Sequence, residues 1–129
     1  MADKDVIRTD NAPGPFEGAP YNQAIRIGDL VFVAGQLGVS LETGELAGET
    51  VAEQTEQVMA NMAAILEAAG SGLNRLVKTT VFLVDLSDFG AMNDVYAHHV
   101  GDRPPARSTV EVAGLPTGAR VEIEAIAHI

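Results

Sequence analysis

The sequence has few of the residues on which many enzymes depend: it contains no cysteine and no tryptophan, and aromatic residues make up only 5% of its 129 positions. The lack of cysteine excludes disulfide bonds, thiolate catalysis and cysteine-based metal sites. Hydrophobic residues still account for 47% of the chain, so we expect a core of mainly aliphatic side chains. The length is typical of one domain, and we predict a single domain over residues 1–129.

Basic residues and long apolar segments are also scarce. The chain has 8 Lys and Arg against 18 Asp and Glu, a formal net charge of −10, and its basic residues form no cluster. This charge opposes binding to nucleic acid, because neutralising phosphates supplies most of the affinity for a polyanion. Residues 1–5 contain no apolar signal core, and no apolar run is long enough to span a bilayer. We therefore expect a cytoplasmic protein with neither nucleic-acid nor membrane partners.

Apolar segments between Gly- and Pro-rich loops predict the strands of a sheet. The predicted strands are residues 21–27, Leu30–Leu37, 77–85 and two strands within residues 106–128, with residues 6–9 as a candidate for a short first strand. Gly28 and Asp29 form a tight turn between the strands on either side of them.

Two helices are predicted between these strands. Thr50 and Glu53 have the spacing of a capping box, and apolar residues recur at helical spacing from there until Gly70. Asp85 or Ser87 caps the second helix, and Gly101 ends it. The apolar face of this second helix consists of Phe89, Met92, Tyr96 and Val100.

The resulting order, β-β-β-α-β-α-β-β, predicts an α+β domain with both helices on one face of a mixed sheet. Residues 30–34 and 81–84 are apolar at consecutive positions, so both faces of these strands need burial. Two helices cover only one face of a sheet. We therefore expect the other face to pack against further copies of the chain in a homo-oligomer.

The last two strands carry the strongest candidate site. Matching their apolar faces predicts a hairpin in which Val112 lies opposite Ala119 and Arg107 lies opposite Glu124. Glu122 then becomes a diagonal neighbour of Arg107, on the face away from the helices and within reach of one small molecule. An arginine in a half-buried strand needs an anionic partner, and a substrate carboxylate is a natural candidate. An ion pair with Glu124 is the purely structural alternative.

No pattern indicates a metal site or a covalent nucleophile. His98 and His99 are adjacent, which places them about 100° apart on a helix and prevents them from sharing a metal ion. Ser108 lacks the Gly-x-Ser-x-Gly context of an exposed nucleophile. We expect neither a metal nor a cofactor.

A set of short motifs runs through the whole chain. The motifs are Tyr21-Asn-Gln, Val33-Ala-Gly-Gln36, Glu67-Ala-Ala-Gly70, Val77-Lys-Thr-Thr-Val-Phe82, Asp85-Leu-Ser-Asp-Phe89, Pro105-Ala-Arg-Ser108, Val110-Glu-Val-Ala113 and Ile123-Glu-Ala-Ile126. From about Asn11 to the C-terminus, these motifs and their order resemble those of the YjgF/RidA family of reactive-intermediate deaminases.

The resemblance implies a fold, an assembly and an activity. The fold would be the chorismate-mutase-like α+β fold, and the assembly a homotrimer whose sheets form a central barrel, with three clefts between subunits. The activity would be the hydrolytic deamination of enamines and imines, such as 2-aminoacrylate and 2-iminopropanoate, to 2-oxo acids and ammonia. Family members of this type use neither cofactor nor metal.

The resemblance also implies roles for individual residues. Arg107 resembles the arginine that binds the substrate carboxylate, and Glu122 resembles the acid that positions water, so both are candidate catalytic residues. Further candidates for substrate binding are Tyr21 as the cleft tyrosine, Asn93 on the second helix, and the backbone at Gly35 and Thr109.

Three positions depart from the family pattern. Thr109 stands where many members have Cys, Ala34 where many have Ser, and Ala24 where many have Gly. The loop before Tyr21 is slightly longer than usual. Because Arg107 and Glu122 are both present, we expect these departures to alter substrate preference rather than abolish deaminase chemistry.

Three other functions are weighed against deamination. A chorismate-mutase-like enzyme shares the fold, but its dianionic substrate needs more than the one cation that Arg107 supplies. A non-catalytic regulatory protein that binds small acids would use the same cleft. Ribonuclease activity, which has been attributed to parts of the family, is opposed by the net charge of −10.

Overall fold

The computed structural model describes residues 3–129, which form a mixed six-stranded sheet and two α-helices. The strands are β1 (Asp5–Ile7), β2 (Ala24–Ile27), β3 (Leu30–Leu37), β4 (Leu76–Leu83), β5 (Ala106–Glu111) and β6 (Val121–His128), and the helices are α1 (Val51–Ala68) and α2 (Phe89–Val100). Across the sheet the order is β1-β2-β3-β6-β4-β5. Strands β4 and β5 run parallel, and the other neighbouring pairs run antiparallel.

The predicted element order and the α+β class are confirmed. Strand β3 has the predicted limits, whereas β2 begins at Ala24 rather than at residue 21. The predicted capping box begins α1: the Thr50 hydroxyl accepts from the Glu53 N–H at 3.1 Å, and the Glu53 carboxylate accepts from the Thr50 N–H at 3.3 Å. Asp85 caps a short 3-10 turn before α2 by accepting from the Ser87 N–H at 2.9 Å.

The core lies between the two helices and one face of the sheet. Strands β3, β4 and β6 each turn alternate side chains into it, as the two-residue period of a strand requires. The strand residues buried there include Val31, Val33, Val81, Leu83, Val121 and Ile123, and the helices contribute Val58, Met59, Met62, Ile65, Leu66, Met92 and Tyr96. The prediction that both helices cover the same face is therefore confirmed.

The opposite face of the sheet, called here the open face, carries exposed apolar side chains. Leu30 and Phe32 alternate with buried residues of β3, so they point away from the helices, and each is 41% exposed. Val110 pairs with the open-face residue Phe82 and is 42% exposed. An apolar surface of this kind is typical of an interaction site. Within residues 3–129, no helix has the length and hydrophobicity needed to cross a membrane.

The prediction of a hairpin between the last two strands is wrong. Strand β4 lies between β5 and β6, and β5 joins the sheet as a parallel edge strand next to β4. The reason is topological: α2 provides the crossover that a parallel β4–α2–β5 unit needs, and β6 is buried enough to require a neighbour on each side. Arg107 therefore pairs with Thr79 rather than with Glu124, and Glu122 pairs with Phe82 and Leu37.

Candidate functional site

A cleft of about 710 Å³ opens at the end of β3 and β6, beneath the Pro- and Gly-rich loop that precedes β2. Tyr21, Gly35 and Glu122, three of the predicted site residues, line it together. Phe16 of the loop and Glu124 of β6 also line it. The structure therefore brings these three predicted residues together in one cavity.

Glu122 is held against the backbone of Gly35. Strand β3 bulges between Val33 and Gln36, and this irregularity turns the Gly35 backbone toward β6. A Cβ atom on residue 35 would lie 2.8 Å from the Glu122 Cδ atom, which is too close for any real contact. Glycine lets the backbone approach the carboxylate this closely, whereas a larger residue would push the end of the Glu122 side chain away.

The environment of Glu122 favours its protonated form. Partial burial raises the pKa of this carboxyl above its ordinary value, and the negative charge of Glu124 raises the pKa further. A carboxyl group whose pKa lies closer to neutrality is suited to accept a proton and return it in one catalytic cycle.

Tyr21 and its loop form the outer wall of the cleft. The Tyr21 hydroxyl accepts a hydrogen bond from the Phe16 N–H at 3.2 Å, so the tyrosine supports the loop that it faces. Buried Gln23 anchors the other end of the loop, because its side-chain amide donates to the carbonyl groups of Ala12 and Pro13 at 3.3 and 3.0 Å. Since Tyr21 is 43% exposed, its ring remains available to a ligand.

Arg107 lies on the other face of the sheet. Its partner on β4 is Thr79, which is buried toward the helices, so Arg107 also points to the helix side. Its guanidinium Cζ atom lies 4.9 Å from the ring centre of Tyr96 and 5.4 Å from that of Phe89, both on α2. Among residues 3–129 Arg107 forms no salt bridge, so the ion pair with Glu124 is not the role of this arginine.

Asn93 and Thr109 belong to the same side of the sheet as Arg107. Asn93 lies four residues after Phe89 and three before Tyr96, so the three side chains share one face of α2. Its side-chain oxygen is buried and accepts no hydrogen bond from residues 3–129. Thr109 pairs with Val81 of the core and follows Arg107 by two positions along β5.

The six predicted site residues thus form two groups on opposite faces of one chain. The prediction that Arg107 and Glu122 are diagonal neighbours is wrong, because it rested on the hairpin that the sheet order rules out. Tyr21, Gly35 and Glu122 form the cleft group, and Asn93, Arg107 and Thr109 form the edge group.

The side chains around the two groups carry opposite charges. Three glutamates, Glu17, Glu122 and Glu124, line the cleft, and none of its lining residues is Lys or Arg. The edge group contains the cation Arg107 without an acidic partner in the described part of the chain. Of the two groups, only the edge group offers a cation to an anionic ligand.

Histidines stay outside both groups. The Nε2 atom of His99 lies 2.8 Å from the Glu56 Oε1 atom, which joins α2 to α1 at the surface. In the part of the chain that the structure describes, no three His, Asp or Glu side chains come together as a metal site would require.

Two of the three departures from the family pattern fall in the site. Ala34 lines the cleft, so the lack of a hydroxyl there makes the wall less polar. Thr109 stands beside Arg107 in the edge group. Ala24 is buried in the core, with 1% of its surface exposed, and is not part of the cleft wall.

Sequence reasoning missed the residues that support the site. Phe89 and Tyr96 were interpreted only as the apolar face of α2, although the spacing Phe89, Asn93, Tyr96 places a polar residue between two aromatic rings on one helix face. Phe16 and Glu124 were not expected in the cleft.

The fold and these two groups define a class of small α+β proteins with a site for a small acid. The chain belongs to the YjgF/RidA family, since the family model described as Endoribonuclease L-PSP matches residues 9–129. The suspected family is thereby confirmed.

Relatives and solved structures agree with this assignment. A RutC family protein from Pyrococcus horikoshii is 50% identical over 97% of this chain and 98% of its own length. The 2-iminobutanoate/2-iminopropanoate deaminase of Homo sapiens is 42% identical over 95% of this chain and 88% of its own length. Among crystal structures, RidA from an Antarctic Psychrobacter species has a TM-score of 0.91 at 46% identity, covering 97% of this chain and 99% of that one. TdcF of E. coli with bound serine has a TM-score of 0.88 at 40% identity, covering 97% and 98%.

Proposed function

We propose that this protein is a hydrolase that deaminates reactive enamines and imines, such as 2-aminoacrylate and 2-iminopropanoate, to 2-oxo acids and ammonia. The observation that carries the proposal is the pair of complementary groups, an arginine with no acidic partner among residues 3–129 and a glutamate with a raised pKa. Relatives named as deaminases of 2-imino acids support it.

The chemistry needs a positioned substrate, one water molecule and one group that moves a proton. Arg107 binds the substrate carboxylate through two N–H donors and fixes the imine carbon, which is already electrophilic. Glu122 accepts a proton from water as the water oxygen bonds to that carbon. The carboxyl returns that proton to the imine nitrogen, which gives a carbinolamine. It then takes the proton of the new hydroxyl group and passes it to the nitrogen, so that the C=O bond forms, the C–N bond breaks and ammonia leaves the 2-oxo acid.

Each complete site would combine the two groups from different copies of the chain. Arg107 and Glu122 lie on opposite faces of one sheet, so one small molecule cannot contact both within a single copy. Strand β5 is an edge strand, so its residues can reach a neighbouring copy. The exposed apolar side chains of the open face, Leu30 and Phe32 among them, would be covered by the same contact. We therefore propose a homotrimer with three clefts between subunits and with its sheets arranged as a central barrel.

A protein that binds small acids without turnover is the second candidate. TdcF of E. coli has been crystallised with serine, a molecule with a carboxylate and an amino group, in the same fold. The edge group would bind such a ligand equally well. The three glutamates of the cleft offer no support for a ribonuclease, because they repel phosphate groups. They offer no second cation for chorismate either.

One assay separates turnover from binding. Imino acids are generated in situ by an upstream enzyme that oxidises or dehydrates an amino acid, and release of the 2-oxo acid is followed with and without this protein. We expect the wild type to accelerate release and Arg107→Ala to lose on the order of 2–4 kcal/mol of transition-state stabilisation. A wild type that binds 2-oxo acids without accelerating release would establish the binding protein instead. Full activity of Arg107→Ala would overturn the proposed site.

A further inference from the structure

Arg107 packs against aromatic rings and forms no salt bridge with an acidic side chain among residues 3–129. The guanidinium lies over the rings of Tyr96 and Phe89, at 4.9 and 5.4 Å from their centres. A carboxylate partner would occupy the N–H donors of the guanidinium, whereas an aromatic ring attracts the cation without being an acidic acceptor. Among residues 3–129, no acidic side chain therefore competes with a ligand for the donors of Arg107.

Tyr96 is itself fixed by a second contact. It is 5% exposed, and its hydroxyl lies 2.6 Å from the Thr79 Oγ1 atom, within a buried hydrogen bond. Thr79 is also the residue that pairs with Arg107 across β4 and β5. Thr79 of β4 therefore contacts both residues: its side chain bonds to the Tyr96 hydroxyl, and its backbone pairs with that of Arg107. Burial raises the pKa of Tyr96, so its hydroxyl stays protonated and can take part in this bond at any physiological pH.

We propose that Tyr96 is a positioning residue for Arg107: its ring, held by Thr79, restricts the guanidinium to the orientation that binds a substrate carboxylate. The inference rests on the proposed function and deepens it by naming what prepares the arginine for binding. A long flexible side chain loses rotamer freedom when it binds a ligand, and a contact that restricts it beforehand reduces that loss. The effect of Tyr96 should therefore be on carboxylate binding rather than on proton transfer.

Three variants of the full-length protein test the role of Tyr96. Tyr96→Leu removes the ring, Tyr96→Phe keeps the ring and removes the hydrogen bond, and Val100→Ala is a control for loss of packing on the same helix away from Arg107. We expect Tyr96→Leu to raise KM for the imino acid about tenfold and to leave kcat within about twofold, because the contact acts on binding. Tyr96→Phe, which keeps the ring but loses the bond to Thr79, should give a KM between those of the wild type and Tyr96→Leu. Val100→Ala should retain the wild-type KM.

A binding measurement distinguishes this inference from the proposed function. Titration calorimetry with 2-oxobutanoate and with its uncharged amide compares a ligand that has the carboxylate with one that lacks it. We expect Tyr96→Leu to weaken binding of the acid about tenfold and to leave binding of the amide unchanged. This result would hold even if the wild type failed to accelerate imine hydrolysis. Equal weakening of both ligands, unchanged binding of the acid, or the same loss in Val100→Ala would overturn the role of Tyr96.

Discussion

Arg107 and Glu122 lie on opposite faces of the same sheet, and strand β4 separates the strands that carry them. Their partners on β4 are Thr79 and Phe82, which are three positions apart and therefore point to opposite sides. Within residues 3–129 of one copy, Arg107 has no acidic partner, and Glu122 lies in a cleft with no basic side chain. Neither residue forms the proposed catalytic site alone. The proposed assembly joins them.

The pH dependence of activity should report the environment of Glu122. The group must be ionised to accept a proton from water, so kcat/KM should fall as the pH decreases through its pKa, which burial and Glu124 raise above 4.5. Glu124→Gln removes the neighbouring negative charge, so the acidic limb of the profile should move to lower pH. Glu17→Gln, which also removes a charge from the cleft wall, is the control. An acidic limb that Glu124→Gln leaves in place, or that Glu17→Gln moves equally, would refute this account of Glu122.

Replacing Gly35 by Ala should displace Glu122 without unfolding the chain. The added Cβ atom would lie 2.8 Å from the Glu122 Cδ atom, so the carboxylate must shift away from the position in which we propose that it activates water. We expect kcat/KM to fall by about 10- to 100-fold, as for a misplaced catalytic group. Gly90→Ala is the matched control, since a Cβ atom there meets nothing within 4 Å. Wild-type activity in Gly35→Ala would show that the close approach has no catalytic role.

The open face should be the contact surface between copies. Phe32→Lys places a charge among exposed apolar side chains that the assembly would bury. We expect light scattering to give a trimer for the wild type and a species of 13.5 kDa for the variant, with loss of deaminase activity. Leu41→Lys is the control, because Leu41 is 51% exposed in a loop outside the sheet. A wild type that is already monomeric would contradict the proposed assembly.

Local signals in the sequence predicted most of the fold. The capping box at Thr50 and Glu53 and the limits of β3 depend on neighbouring residues, so they could be read from short segments. The apolar open face followed from the continuous apolar residues 30–34. These features do not depend on how distant strands pair.

The pairing of the last two strands could not be predicted in the same way. A Gly- and Pro-containing connection followed by an alternating strand favours a hairpin locally, and only the crossover through α2 shows that β5 pairs with β4. This error placed Arg107 beside Glu122 in one chain. The family resemblance still named Arg107 and Glu122 as candidate catalytic residues, because sequence motifs do not depend on strand order. The trimer, the roles of the site residues and the cytoplasmic location stay predictions.

The central claim is that one catalytic site takes Arg107 from one copy and Glu122 from its neighbour. Arg107→Ala and Glu122→Gln are each expected to be inactive, so the two variants are unfolded together in equal amounts and refolded. If neighbouring copies share a site, random mixing in a cyclic trimer makes about one quarter of the sites native, and deaminase activity should return to about that fraction of wild type. Refolding Arg107→Ala with the double variant is the control and should restore nothing. Activity no higher than the sum of the separate variants would contradict the shared site.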